Sequence, residues 1–353
     1  MALSLCLAGS PAVAPASSDQ ASAEAPAEYE LSWKSLHMGT FISGRVFAAD
    51  PEKTRELAKL AESEIVRYES ALSVHEDTPL ARVNAQSGSF VEVDAETVEL
   101  TRRALEIAEE TESAFEPMIG PVVELWKIGF DGSRIPSDAE ISAALKLVDH
   151  RHVQIERTPE AGWRMRIAPG QKIDLGGIAK GYVGEAITER LRRAGAVRAV
   201  LDLGGNIALL GSRPDGKPWR IGLQRPDRER GSYFAVVLAE DESVVTSGAY
   251  ERNFTKNGKR YGHILSARTG RPVDTDLASV SIIDRDGARA DALCTAFFAM
   301  GWERSAAFLK AHPDVKAVLL SKDLKRCAVS AALADRITLA DKTIALETIG
   351  AAP

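Results

Sequence analysis

Twice in this chain an acid and two glycines follow an apolar run. Lys172–Glu185 reads KIDLGGIAKGYVGE, and Leu201–Asn206 reads LDLGGN. A glycine pair has no Cβ atoms, so another group can come against the bare main chain at each site. After the first pair, Ile178, Tyr182, Ala186, Ile187 and Leu191 recur at helical spacing. The stretch therefore predicts an apolar strand ending at Ile173, a glycine turn and an amphipathic helix over Ala179–Ala194. Two readings stay open here. Free N–H groups at the helix start would attract a phosphate or its metal, with Lys180 adding positive charge one turn in. Alternatively, Asp174 caps the helix and the glycines serve strand–helix packing.

Two nucleotide-binding patterns are excluded. Neither glycine pair belongs to a GxGxxG, so a dinucleotide fingerprint is absent. Gly211–Pro218 (GSRPDGKP) matches GxxxxGK, but Pro218 stands where a Ser or Thr would hold Mg²⁺. Pro218-Trp219-Arg220 also leads toward a strand, so this segment is a turn.

Around these sites the pattern is that of one mixed domain. Met38–Ala48 has strand character. Asp50-Pro51-Glu52 predicts a helix start, with Asp as N-cap and Pro at the first helical position. A second helix follows Asp94, and Ser137-Asp138-Ala139-Glu140 is a capping box that opens a third. After Arg166, strand-like runs (Val197–Leu203, Trp219–Leu223, Phe234–Leu238, Ser279–Ile283, Val315–Leu320) alternate with turns and a few helices, among them Arg289–Met300. No linker or solenoid period interrupts this part. The 353 residues, 45% hydrophobic and 27% charged, suffice for a large core. The expectation is an α/β (α+β) domain over residues 29–345, with a short tail over 346–353.

The net charge is −6, with acids and bases interleaved and no long basic run, so nothing calls for nucleic acid. Residues 2–9 are apolar, and residues 10–28 are almost entirely Ala, Ser, Pro and Glu. This resembles a secretion leader with a flexible linker. Ala21-Ser22-Ala23 suits a signal peptidase, and the expectation is export to the periplasm with a mature start at Glu24. Cys6 follows Leu5, where a lipoprotein anchor needs a small residue. Cys294 and Cys327 form no CxxC, so neither a zinc site nor a disulfide framework is indicated.

Three further segments could carry chemistry. In RADALCTAFFAMG (Arg289–Gly301), Asp291 and Thr295 lie one helical turn apart on one face of a mostly apolar helix. A hard cation such as Mg²⁺ would satisfy them, aided by carbonyls and a substrate phosphate. The alternative is an exposed Asp with a Thr bonded back to its own helix. Val244–Val273 carries the turn Thr246-Ser247-Gly248, His263 on a strand, and the turn Arg268-Thr269-Gly270. His263 is either a general base or a structural imidazole. Ser113–Phe130 reads as a loop in which Ala114-Phe115-Glu116 forms a pocket wall or a core turn.

The order of these motifs is more specific than any one of them. Met-Gly-Thr, AF-acid-P-x-x-GP, DLGGIAKGY, LGGN, TSG-x-YER, H-I-L-x-x-RTG and ADAL-x-TA follow one another from Met38 to about Gly301. In this the chain resembles the ApbE family, flavin transferases that cleave FAD and attach FMN to a protein. The resemblance implies a single T-fold-like domain with mixed sheets and flanking helices. It implies Mg²⁺ on the FAD pyrophosphate, held by Asp291, Thr295 and the Gly177 carbonyl. Asp174, Lys180, Met38, Ala114, Phe115, Glu116 and Ile264 match flavin-site positions, and the second glycine pair matches a supporting turn.

The implied reaction is attack by a Ser or Thr hydroxyl of an acceptor protein on the FMN-side phosphorus, with release of AMP. His263 is the candidate base. The acceptor class implied is a membrane-bound respiratory subunit. The chain departs from the family pattern at Glu116 (usually Asp), Ala249, Ser266-Ala267 (usually Asp-Pro), Val74 and Cys294. Those departures keep open a flavin-binding maturation factor without transfer, or a hydrolase releasing FMN and AMP.

Overall fold

The computed structural model describes residues 28–73, 77–129, 132–160, 162–229, 231–248 and 253–350. The leader, Val74 and Ala249 lie outside the described residues. A nine-stranded sheet runs through the molecule. It begins with β1 (Tyr29–His37) and β2 (Thr40–Ala48), then takes Arg198–Asp202, Asn206–Leu210, Ser243–Gly248, Leu277–Asp284, Lys316–Ser321, Arg326–Ser330 and Ala345–Ile349. Neighbours are antiparallel except the last pair, where Arg326–Ser330 and Ala345–Ile349 run parallel. Leu346–Ile349, expected to lie in the tail, belong instead to the closing strand, and Ile349 is buried in the main core.

Both faces of the sheet are covered, and the two-residue period of a strand sorts side chains between two cores. Val245, Ala317 and Leu319 enter the larger core with the helices. Their neighbours Val244, Val318 and Leu320 enter a second core beneath a three-stranded sheet that includes Trp219–Gln224 and Tyr233–Ala239.

The seven α-helices of the described residues are α1 (Pro51–Leu72), α2 (Pro79–Ala85), α3 (Ala95–Glu110), α4 (Gly120–Trp126), α5 (Asp138–Leu145), α6 (Ala179–Arg193) and α7 (Gly287–Ala311). Their starts follow the expected chemistry. Asp50 accepts from the Lys53 amide with Pro51 inside the first turn, Asp94 accepts from Thr97, and the Ser137/Glu140 capping box is complete.

Two expectations need correction. Met38 and Gly39 are not strand residues. They form a two-residue turn between β1 and β2 with φ of 51° and 66°, the positive pair that a type I′ hairpin requires. Helix α7 extends well beyond Met300, but it breaks at Gly301 (φ 78°), where Asp276 Oδ1 accepts from the Trp302 amide at 2.8 Å and caps the second half.

Candidate active site

The first glycine pair sits on an extended segment that belongs to no sheet, so the strand predicted up to Ile173 is not there. The side-chain amide of Asn84 takes the place of a strand neighbour. Its Nδ2 donates to the Ile173 carbonyl (2.9 Å), and its Oδ1 accepts from the Ile173 amide (2.7 Å). One residue on, the Asp174 amide donates to the Pro117 carbonyl (2.8 Å). The segment thus lies against Phe115–Met118, and it turns at Gly176–Gly177 into α6.

Asp174 does not cap that helix. Its Oδ1 accepts from the Gly176 amide at 2.8 Å, and α6 starts at Ile178 without any side-chain cap. The amides of its first turn are nonetheless engaged, Ala179 donating to the Leu175 carbonyl (2.9 Å) and Gly181 to a carboxylate of α7. Lys180 is half-buried in the first turn, close enough for its charge to act on the Cys294 thiol.

Helices α6 and α7 meet almost backbone to backbone. A methyl group at Gly181 would fall 1.9 Å from the Gly287 carbonyl oxygen and 2.8 Å from Asp291 Cβ. The contact is held by the Gly181 amide donating to Asp291 Oδ2 (2.9 Å) and the Gly287 amide donating to Glu185 Oε2 (2.9 Å). Arg103 on α3 reaches Glu185 and Asp286 on either side of this junction. Asp291 is accordingly 3% exposed.

A turn along α7, Thr295 lies over Gly177: a methyl group there would stand 3.4 Å from Thr295 Oγ1 and 3.2 Å from the Phe115 ring. Among the described residues, Asp291 Oδ1 and Thr295 Oγ1 accept or donate no hydrogen bond. The alternative of an exposed Asp with a back-bonded Thr is not what folds. The structure brings Gly177, Asp291, Thr295 and Phe115 to one place.

These donors suit a hard divalent cation. A carboxylate, a hydroxyl and a main-chain carbonyl are oxygen ligands of the kind Mg²⁺ prefers. Among the described residues, no three His, Cys, Asp or Glu side chains cluster as a metal cage. A cation here would complete its shell with water and substrate phosphate, which is how Mg²⁺ is usually held.

Ser247 and Cys294 fix the far wall. Cys294 Sγ accepts from the Ser247 amide (3.1 Å) and donates to the Val280 carbonyl (3.2 Å), and burial pushes its thiol up to about 12. The position expected to supply a carboxylate instead supplies a buried thiol that ties Thr246-Ser247 to α7.

The second glycine pair turns Asp202 back to Asn206, with the Gly205 amide donating to Asp202 Oδ1 at 2.9 Å. Gly204 has φ of 73°, and a methyl there would lie 2.3 Å from Thr40 Oγ1. What approaches this pair is the β1–β2 turn, so its role is support. Met38 heads that turn, and Glu69 accepts from its amide and also engages His37 Nδ1 (2.7 Å).

His263 is not on a strand. It occupies the bend after Lys259–Gly262, and Ile264 beyond it packs on the main core. Ser266, where the family pattern has Asp, accepts from the Gly270 amide through its carbonyl (2.7 Å) and from the Thr269 amide through Oγ (3.3 Å).

Glu116 is held by its neighbours: Oε1 accepts from the Met118 amide (3.0 Å), and Oε2 meets His150 Nδ1 (2.8 Å). Ala114 and Phe115, next to it, do pack into the main core. His150 and Asn84, both missed as site supports, left no local signal, since each acts on a segment distant in sequence.

A cleft of about 490 Å³ lined by Glu185, Thr188, Arg192, Asp241, Ser243 and Arg285 holds none of the predicted site residues.

Known proteins share this arrangement of sequence and fold. Residues 38–319 match the ApbE family. The chain is 38% identical to the FAD:protein FMN transferase of Treponema pallidum over 90% of its own length and 91% of the relative's. It is 33% identical to the FAD:protein FMN transferase of Klebsiella pneumoniae over 83% and 89%. Among solved structures, the ApbE protein of Thermotoga maritima superposes with a TM-score of 0.75 at 30% identity, covering 84% of this chain and 95% of that one. The flavin transferase ApbE of Vibrio cholerae gives 0.76 at 26% identity, covering 88% and 100%.

Proposed function

This chain belongs to the ApbE family and is a FAD:protein FMN transferase, and we propose that it works with Mg²⁺ at Asp291, Thr295 and Gly177. The observation that carries the reading is the seating of Thr295 over Gly177 while the Gly181 amide holds only one oxygen of Asp291, Oδ2, a turn away on the same helix. Mg²⁺ bound there would neutralise charge developing on the FAD pyrophosphate. Lys180, half-buried in the first turn of α6, adds positive charge for the same anion.

Phe115 and Met38 form walls for the flavin, and Asp174 and Ile264 complete its surroundings. In the reaction, the oxygen of an acceptor Ser or Thr forms a bond to the FMN-side phosphorus. The bond from that phosphorus to the bridging oxygen breaks, AMP leaves with the oxygen, and His263 takes the hydroxyl proton.

We assign the acceptor to a membrane-bound electron-transfer subunit and the site of action to the periplasm. The Ala/Ser/Pro-rich leader supports export. No helix of the described residues is long and apolar enough to cross a membrane.

The deciding assay incubates purified protein with FAD and Mg²⁺, with and without an acceptor carrying a Ser/Thr target. AMP release that needs the acceptor, together with a flavin-labelled acceptor, is expected. AMP release without it would mean a hydrolase, and FAD bound but unchanged would mean a maturation factor.

A further inference from the structure

The buried His150 stands between two acids that the reaction does not use. Its Nδ1 is 2.8 Å from Glu116 Oε2, and its Nε2 is 2.9 Å from Glu109 Oε1. A carboxylate oxygen only accepts, so a ring facing one at each nitrogen is satisfied only when both nitrogens carry protons. The ring is therefore a buried imidazolium (8% exposed), with Glu116 buried beside it and Glu109 reaching it from the end of α3. On its own turn, Asp149 pairs with Arg151 (2.8 Å) and lies near His152, so their charges largely offset.

Glu116 belongs to the segment that walls the site. Phe115 before it lies against Gly177, Pro117 after it accepts from the Asp174 amide, and Met118 donates to its Oε1. The turn bearing His150 is anchored in turn by Gln171 Nε2, which donates to the Leu147 and Asp149 carbonyls (3.0 and 2.8 Å).

We propose that His150 is a positioning residue for FAD, a charged clasp between Glu109 and Glu116 that holds the Phe115 wall against Gly177. The inference rests on reading that wall as part of the flavin pocket. Burial opposes the ring's charge, but hydrogen bonds to Glu116 and Glu109 outweigh it and raise its pKa above the usual 6.5. FAD affinity is then full while the ring is protonated and falls as pH rises through its titration.

The test follows the His150 ring by NMR and FAD binding with Mg²⁺ by fluorescence, both between about pH 6 and pH 9. In the native protein the ring should titrate above the ordinary histidine value, and the Kd for FAD should rise about tenfold through the same pH range, the worth of one charge-assisted hydrogen bond. Glu109→Gln removes one of the two negative charges facing the ring, at an exposed position, and should shift both transitions to lower pH together. His150→Gln should bind FAD with the weakened Kd at every pH. A merely structural histidine would not make the two transitions move together. If the ring titrates at or below 6.5, if FAD affinity stays flat across the transition, or if Glu109→Gln leaves the transitions in place, the proposal is overturned. Should His150→Gln not fold, the native and Glu109→Gln measurements decide. AMP release in the same preparations tests the transferase reading separately, since a pH-dependent clasp is visible in FAD binding whether or not FMN is transferred.

Discussion

The amide of Gly181 donates to Asp291 Oδ2 across 2.9 Å, joining the first turn of α6 to the second turn of α7. One oxygen of the acid is thereby committed to holding the two helices together. The other is committed to nothing within the described residues. Structure and chemistry are divided between two atoms of one carboxylate.

Asp291→Asn should separate those roles. The amide oxygen can still accept from Gly181, so the melting temperature should change little. The charge is lost, and Mg²⁺-dependent turnover of FAD should fall below detection. Normal turnover in a folded Asp291→Asn protein would remove the metal from this helix.

Gly181→Ala is expected to do the opposite. Its methyl would sit 1.9 Å from the Gly287 carbonyl, a backbone atom that cannot swing aside. Prying α6 from α7 should cost roughly 1–3 kcal/mol or more, as overpacking does. Denaturant unfolding reads this directly, and an unchanged midpoint would contradict the close approach.

His263→Ala should slow transfer by roughly 10²–10⁴-fold, the range for loss of a general base, while FAD affinity changes far less. Equal losses in rate and binding would make His263 a wall of the pocket rather than the base.

Acid should unfold the protein partly through Glu242. This buried carboxylate pairs with Arg336 and Lys316. Burial alone would raise its pKa, but these hydrogen bonds overcome that and hold it below its ordinary 4.5. A depressed folded pKa gives stability that is present above about 4.5 and lost as pH falls through the lower folded value. Glu242→Gln should destabilise by about 3 kcal/mol at neutral pH, because it strands two cations. The difference between variant and native protein should shrink toward pH 3, and a constant difference would refute the pairing.

Cys294 and Cys327 are both buried, and burial pushes each thiol up to about 12. Neither should be alkylated by iodoacetamide near pH 8 until the protein unfolds. Rapid labelling of the native protein at Cys294 would mean that the Ser247 wall opens.

The legible parts of this sequence were those where neighbours in the chain are neighbours in space. Asp50-Pro51, the Ser137 capping box and the Asp291/Thr295 pair each complete their geometry within one helical turn, and all three stand where their spacing places them. Asp174 looked like a cap, but it bonds to Gly176 two residues on, and the extended run before it is paired by Asn84, 89 positions away. An apolar run is the same on paper whether a strand or a side chain satisfies its backbone. Ala345–Ile349 was hidden for a related reason: four of its five residues are exposed, so no buried alternation marks it. The partner of Glu116 was equally hidden, since His150 lies 34 positions later in the chain.

The order of strands has a consequence for how the chain comes to be folded. β2 has β1 on one side and Arg198–Asp202 on the other, and nearly 150 residues separate it from that second partner. The ribbon formed by β1 and β2 therefore waits, one edge unfilled, until the helices α1 to α6 have been synthesised. Pairings of such long sequence separation are slow to form. A nascent chain held open for this long keeps its first ribbon available to other edges until Arg198–Asp202 arrives to close it.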